Sequence, residues 1–238
     1  MPNPKTSPLS AGGRAPLRRA QNHLRQVDPV IGRLIEQRPD FDPHAWLDEL
    51  PPMNLFGSLL FQITGQQLSV AATRRTLERI TSLFGGHLPS PDELLAVEPG
   101  DLRAAGLSWR KVSTLRDLAE RLSDGRLDME RLSGLPDDEF IAELTAVPGI
   151  GPWTAQGALL VALRREDVVL PGDLALRKAV RIAYRLDHLP SQEEMLEIAE
   201  KWRPFRSLAT SYLFAAALEP DDTLPPRLPT KAPQRPPG

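Results

Sequence analysis

The chain has 238 residues, of which 29 are basic and 31 acidic, and it contains no cysteine. The lack of cysteine excludes disulfides, thiolate zinc sites, cysteine nucleophiles and cysteine-ligated iron–sulfur clusters. No long uncharged apolar run or signal-peptide stretch is present, so we expect a cytoplasmic protein without a membrane span. The net charge of −2 argues only weakly against a nucleic-acid partner, because local charge sets the field at a cleft.

The two ends of the chain are rich in proline and polar residues, and we expect disordered tails at residues 1–16 and 219–238. Residues 17–218 contain no clear linker and are expected to form one unit. Apolar residues at helical spacing dominate this unit, which predicts an all-α protein. The helical segments are, in chain order, DPVIGRLIEQ, LFGSLLFQI, SVAATRRTLERITSLF (with Ser69 as N-cap), PSPDELLAV, LSWRKVSTLRDLAERL, DDEFIAELTAV, WTAQGALLVAL, ALRKAVRIAYRL and SQEEMLEIAEKWRPFRSLATSYLFAAAL.

Two glycines flank one isoleucine in the turn PGIG, between a helix that ends in LTAV and a helix that begins with PWTA. Glycine at 149 and 151 permits backbone angles that other residues avoid, so the turn can point its N–H groups outward. Together with the positive end of the following helix, the turn forms an anion site without a charged side chain. A lone glycine pair is more often a packing turn, but the whole pattern over 144–155 favours a helix–hairpin–helix. Such an element binds DNA phosphates irrespective of sequence, and we expect contacts from Gly149, Gly151 and Thr154.

A lone acidic residue, Asp173, stands in the turn LPGDLALRK after the next helix. Its simplest role is the N-cap of the helix that follows. A carboxylate fixed in this way, among leucines, also suits a second role, the stabilisation of the sugar cation that forms when an N-glycosidic bond breaks. Arg177 shares a helical face with Arg181 and Arg185, which indicates either phosphate contacts or a solvated surface.

These motifs resemble the helix–hairpin–helix (HhH-GPD) DNA glycosylase superfamily, in its 3-methyladenine DNA glycosylase II (AlkA-type) branch. The resemblance rests on PGIGPWTA with LPGD, on ITGQQLSVAAT, on LRAAGLSWRKVSTLRDLA and on KWRPFRSLATSYLF, which together span most of residues 55–214. It implies a two-lobed helical fold. Larger members begin with a β-rich domain, and we expect that domain to be absent, because only about fifty mostly polar or helical residues precede LFGSLLFQI.

The resemblance also implies roles for single residues. Asp173 is the catalytic carboxylate, and Trp153 occupies the position where strand-nicking members carry a lysine. A monofunctional enzyme that leaves an abasic site is therefore expected. Gly172 stands where many members have a second acidic residue. The base pocket is expected to use Trp153 and three further aromatic residues for which core packing is an equal alternative: Phe61, Tyr212 and Phe214.

A base inside a duplex must be turned out before it can be excised, and something must fill the gap that it leaves. The resemblance implies Gln67 as this wedge, with Gln66 and Leu68 beside it, whereas the plain alternative is a helix–helix corner. The resemblance implies that no cofactor is required. It also implies a sodium or potassium ion bound by the backbone carbonyls of Thr145, Val147 and Ile150 in the hairpin.

The sequence therefore predicts a monomeric enzyme of the bacterial cytosol or nucleoid that binds damaged double-stranded DNA. Expected substrates are 3-methyladenine and 7-methylguanine, with 1-methyladenine, 3-methylcytosine and hypoxanthine as further candidates. Three alternatives stay open, namely a glycosylase for another lesion class, a catalytically silent DNA-binding scaffold and a helical enzyme that does not contact DNA.

Overall fold

A computed structural model of the chain describes residues 11–43 and 53–218. This part of the chain contains thirteen α-helices and no strand. The helices are α1 (Ala11–Val27), α2 (Pro29–Gln37), α3 (Leu55–Gly65), α4 (Val70–Leu83), α5 (Pro91–Ala96), α6 (Pro99–Ala104), α7 (Trp109–Ser123), α8 (Met129–Gly134), α9 (Asp137–Thr145), α10 (Pro152–Val161), α11 (Leu174–Ala183), α12 (Gln192–Glu200) and α13 (Arg206–Leu218). The prediction of an all-α protein is confirmed. None of the described helices is long and apolar enough to cross a membrane.

Most helices begin where the sequence predicts. Ser69 is the N-cap of α4, as expected, and its hydroxyl accepts from the Ala72 amide at 3.3 Å. Ser90 and Ser191 form capping boxes with a glutamate three residues later, so the first amides of α5 and α12 are satisfied by local side chains. Because these caps lie within one turn of the helix that they start, local sequence is enough to predict them.

The structure corrects the prediction in several places, and it adds α6 and α8, which the predicted segments do not include. Helix α1 begins at Ala11, so residues 11–16, which were expected to belong to a disordered tail, are helical. The segment 191–218 forms two helices rather than one, since Pro204, between α12 and α13, has no amide hydrogen with which to continue a helix. Residues 1–10 and 219–238, the remainder of the two expected tails, lie outside the described residues.

The helices form the two lobes that the sequence predicts. Helices α1 and α2 pack against α13, which also packs against α11, so both ends of the described chain share one lobe. In the other lobe α3 packs against α4, α7, α8 and α10, while α5 and α6 pack against α7 and α9 packs against α10. The chain returns to the first lobe between α10 and α11. The hairpin between α9 and α10 therefore belongs to one lobe, and Asp173, at the start of α11, belongs to the other.

A buried carboxylate joins the helices of the first lobe. Asp28 is fully buried and caps α2 through its Oδ1 atom, which accepts from the Val30 amide at 2.8 Å. Its Oδ2 atom accepts from the Trp202 indole at 2.7 Å, from the Tyr184 hydroxyl and from the Lys201 ammonium at 3.2 Å. Burial raises the pKa of Asp28, but the bonds from Tyr184, Trp202 and Val30 together with the charge of Lys201 outweigh it, and the net pKa is lowered.

Candidate active site

A hydrogen bond across the lobe boundary joins the two residues that carry the predicted chemistry. The Trp153 indole Nε1 donates to Asp173 Oδ2 at 2.8 Å. The other carboxylate oxygen, Oδ1, accepts from the Leu176 amide at 2.8 Å, so Asp173 is the N-cap of α11. Both Asp173 and Trp153 are partly exposed. The carboxylate is thus fixed in direction by one donor from each lobe, and each oxygen keeps a lone pair for a ligand.

The hairpin needs its first glycine for two reasons. Gly149 has a φ of +90°, a conformation that side chains with a Cβ rarely adopt. A Cβ at this position would also lie 2.0 Å from the Thr114 hydroxyl oxygen of α7. The turn is therefore seated directly on α7.

The second glycine differs from the expectation. Gly151 has a φ of −104° and a ψ of 173°, which any residue can adopt, and a Cβ there would meet nothing within 4 Å. The expectation of a special backbone angle at Gly151 is wrong, because only Gly149 turns the chain. The amides of Gly149, Gly151 and Trp153 donate to no described residue, and Gly151 provides no side-chain cap for α10. These free amides at a helix start give the hairpin the character of an anion site.

Thr154 lies inside the protein rather than on the hairpin surface. It is 1% exposed, and its hydroxyl oxygen accepts from Gln66 Nε2 at 3.0 Å. The same Gln66 amide donates to the Gly149 carbonyl at 3.2 Å. The predicted phosphate contact of Thr154 is therefore contradicted for its side chain, because burial and Gln66 occupy it. Gln66 fastens the hairpin to the end of α3.

The segment GQQLS forms an exposed corner beside this hairpin. Gln67 has a φ of +60° and is exposed, and Leu68 is 42% exposed. The Lys111 ammonium, on α7, donates to the carbonyls of Thr64 and Gln66, each at 2.8 Å, and so caps the end of α3. Burial lowers the pKa of Lys111. The corner is thus held from beneath while Gln67 and Leu68 face outward, as a wedge requires.

The other predicted aromatic residues take different positions. Phe61 and Phe214 are partly buried and pack against the core. Tyr212 is fully buried, packs against the tilted ring of Phe41 with ring centroids 4.8 Å apart, and its hydroxyl accepts from the Gln21 amide at 2.9 Å. A base could reach Tyr212 only after other side chains moved, so this structure favours the core-packing alternative for that residue.

The remaining predicted site residues concern phosphate and a cation. Arg177 is partly buried, and its Nε donates to the Pro190 carbonyl at 2.7 Å, which fixes the guanidinium beside α11. In the hairpin, the carbonyls of Thr145 and Ile150 accept no backbone hydrogen bond from a described residue, whereas the Val147 carbonyl accepts from the Ile150 amide at 3.1 Å. Free carbonyl oxygens are suitable ligands for a monovalent cation.

The roles of Lys111 and Thr114 were not predictable from the sequence. The two side chains lie three residues apart on one face of α7, where the first holds the end of α3 and the second lies against Gly149. Their pattern in LSWRKVSTLRDLA is that of an ordinary helix, and no local signal distinguishes them.

A helix–hairpin–helix with free amides, followed by a carboxylate at the start of the next helix, defines the class of helical base-excision glycosylases. The sequence model described as the HhH-GPD superfamily base excision DNA repair protein matches residues 61–204, and the chain belongs to this family.

Two curated relatives and one solved structure illustrate the similarity. The chain is 30% identical to DNA-3-methyladenine glycosylase 1 of Schizosaccharomyces pombe, over 89% of this chain and 92% of the relative. It is 28% identical to DNA-3-methyladenine glycosylase 2 of Escherichia coli, over 82% of this chain and 68% of the relative. The structure of the S. pombe 3-methyladenine DNA glycosylase in complex with abasic DNA superposes with a TM-score of 0.74 at 30% identity, covering 82% of this chain and 95% of that chain.

These similarities confirm the predictions of the family, of the two-lobed helical fold and of a DNA glycosylase of base excision repair. The residue roles, the monomeric state, the location in the cell and the bound cation stay predictions.

Proposed function

We propose that the protein is a monofunctional DNA glycosylase that hydrolyses the N-glycosidic bond of alkylated bases, chiefly 3-methyladenine and 7-methylguanine. The observation that carries the proposal is the Asp173 carboxylate, held at the lobe boundary by Trp153 and by the first turn of α11. The names of the relatives from S. pombe and E. coli support the same substrate class. The partner is damaged double-stranded DNA, and the free amides of the hairpin bind the phosphates of that DNA.

The chemistry follows from the charge of the substrate. A purine alkylated at N3 or N7 is cationic and departs as a neutral base when the bond to the sugar breaks. The electron pair of that bond goes to the base, and positive charge develops on the sugar. The oriented carboxylate of Asp173 stabilises this cation without reorganisation, and water then adds to the sugar carbon with release of one proton.

Trp153 serves two parts of this scheme. Its indole N–H positions the carboxylate, and its ring offers an aromatic face to a cationic base. The same side chain fills the position after the hairpin where an amine nucleophile would be required for strand nicking. The partly buried Lys111 ammonium is bound to two carbonyls, so it supplies no such nucleophile either.

The hairpin supplies the anchor. A phosphate at the free amides of Gly149, Gly151 and Trp153 would place the duplex against the exposed corner of Gln67 and Leu68, which fills the gap left by the base. A sodium or potassium ion held by the carbonyls of the hairpin would add a positive charge beside that phosphate.

The experiment that tests the function is release of free base from methylated DNA by the wild-type protein and by Asp173→Asn. Asparagine is an equally good N-cap, so the variant keeps the start of α11 while it loses the negative charge. We expect base release without strand nicks from the wild type, and no release but retained DNA binding from the variant. Near-normal release by Asp173→Asn would refute the role of the carboxylate. Nicks, or an adduct trapped by borohydride, would refute the monofunctional assignment.

A further inference from the structure

The side chain of Gln62 is buried close to the site, and its amide bonds nothing in the part of the chain that the structure describes. Gln62 lies on α3 and is 6% exposed, and no hydrogen bond joins its amide to any described residue. One turn further along the same helix face, the amide of Gln66 makes two hydrogen bonds. The hydroxyls of Ser58 and Thr64 are sealed from solvent without a partner, whereas the Gln62 amide is not sealed. Because the amide is open to solvent and bonds no described residue, its donor and acceptor atoms are available to a ligand that enters the site.

The neighbouring helix has a glycine that makes room for this amide. A Cβ on Gly157 would lie 2.6 Å from the Gln62 carboxamide carbon and 2.7 and 2.8 Å from its oxygen and nitrogen. Gly157 is in the interior of α10, where glycine costs roughly 0.5–1 kcal/mol relative to alanine. Alanine at position 157 would therefore fit only if the flexible end of Gln62 moved away from α10.

The position of the amide relative to Trp153 follows from helix geometry. Gly157 is four residues after Trp153, so both lie on one face of α10. The Cα–Cβ bond of a helical residue tilts toward the N-terminus. The Gln62 amide lies 2.6–2.8 Å from the place of that Cβ, beside the face of α10 that carries Trp153.

We propose that the Gln62 carboxamide hydrogen-bonds the edge of the base that is turned out beside Trp153, and that it selects adenine-derived bases. This inference rests on the proposed function. A glutamine amide matches adenine through two bonds, because its oxygen accepts from the N6 amino group while its nitrogen donates to N7. 3-Methyladenine keeps both partners. 7-Methylguanine has a methyl group on N7 and an oxygen at position 6, and so it can accept only one bond.

The test uses one methylated DNA preparation, from which 3-methyladenine and 7-methylguanine are released together and separated by chromatography. Gln62→Met keeps the length of the side chain and removes its hydrogen bonds. We expect release of 3-methyladenine to fall about tenfold or more, with release of 7-methylguanine changed less than about twofold. An equal fall for both bases, or no change for either, would overturn the proposal. A wild-type protein that releases neither base would instead refute the proposed function.

Gly157→Ala provides a second, independent variant, and the melting temperature of each variant shows that it is folded. The added methyl displaces the Gln62 amide, so we expect the same selective loss of 3-methyladenine. When Gln62 is also replaced by alanine, the methyl group at position 157 has room. In that background Gly157→Ala should leave the ratio of released 3-methyladenine to 7-methylguanine unchanged. A further change of the ratio in that background would show that position 157 acts on the base without Gln62, and would overturn the assignment.

Discussion

Trp153 and Asp173 are twenty residues apart and belong to different lobes, yet the indole nitrogen and the carboxylate oxygen are 2.8 Å apart. The bond makes the direction of the carboxylate depend on how the lobes meet. Trp153 therefore positions the carboxylate in addition to presenting an aromatic surface.

Trp153→Phe separates these two roles. Phenylalanine keeps an aromatic ring but removes the N–H donor, and a hydrogen bond to a charged group contributes about 1.5–3 kcal/mol. We expect the rate of excision at saturating enzyme to fall about tenfold or more, with affinity for abasic DNA unchanged. Single-turnover kinetics and a binding titration on the same duplex give the two quantities. Reduced affinity with an unchanged rate would show that Trp153 acts only as a stacking surface.

The two hairpin glycines are expected to respond differently to alanine. Gly149→Ala introduces a strained φ and a contact with Thr114, and should lower the free energy of unfolding by about 2 kcal/mol or more. Gly151→Ala meets no neighbour and should leave stability within about 0.5 kcal/mol. The methyl group of alanine at position 151 would nevertheless lie where a phosphate is expected to approach the free amides.

Urea unfolding and DNA titration distinguish these effects. We expect Gly151→Ala to bind every duplex more weakly, with or without a lesion, at unchanged stability. Unchanged binding by this variant would refute a phosphate at the second glycine. For Gly149→Ala, a second change, Thr114→Ala, should restore the part of stability that the contact removes and leave the part due to φ. Failure to restore any stability would mean that the backbone angle alone requires glycine.

The sequence predicts the parts of the site that depend on near neighbours. The hairpin and the N-cap at Asp173 are each encoded within a few residues, so composition and spacing reveal them. Contacts between distant segments were not predictable in this way. Gln66 reaches Thr154 across 88 residues and Lys111 reaches Thr64 across 47, and neither pair leaves a local pattern.

Burial was the other quantity that the sequence left open. Helix α13 is apolar around much of its circumference, so its spacing does not say whether Tyr212 faces the core or a cleft. The structure places it in the core, bound to Gln21, while Phe214 in the same helix is only partly buried. The predicted corner around Gln67 could be located from the resemblance, but its left-handed backbone required the structure.

Lys111→Met tests whether the support beneath this corner matters for turning out the base. The change removes both hydrogen bonds to the last carbonyls of α3, and should cost about 1–2 kcal/mol of stability. We expect a slower fluorescence rise from 2-aminopurine placed beside the lesion, and slower excision, with affinity for duplex DNA nearly unchanged. Lys178→Met, on the exposed face of α11, is the matched control for loss of one positive charge. Equal effects of the two variants would contradict a positioning role for Lys111.

The buried carboxylate of Asp28 should make the free energy of unfolding depend on pH in the acidic range. Its pKa in the folded protein lies below the ordinary value of 3.8, because the bonds from Tyr184 and Trp202 and the charge of Lys201 outweigh the effect of burial. The unfolded chain therefore takes up a proton at higher pH than the folded protein does. The stabilising contribution is complete above the unfolded pKa, and it is lost as the pH falls through that value toward the folded pKa.

Asp28→Asn removes this titration while it keeps a similar shape. We expect a loss of roughly 2–3 kcal/mol at neutral pH, because an amide oxygen replaces a charged acceptor of several hydrogen bonds. The variant should also lose less stability than the wild type as the pH falls below about 5, because the pKa of Asp28 is lowered in the folded protein. Urea unfolding of both proteins across that range measures the two slopes. Parallel slopes would show that other carboxylates dominate acid unfolding and that Asp28 contributes no pH dependence of its own.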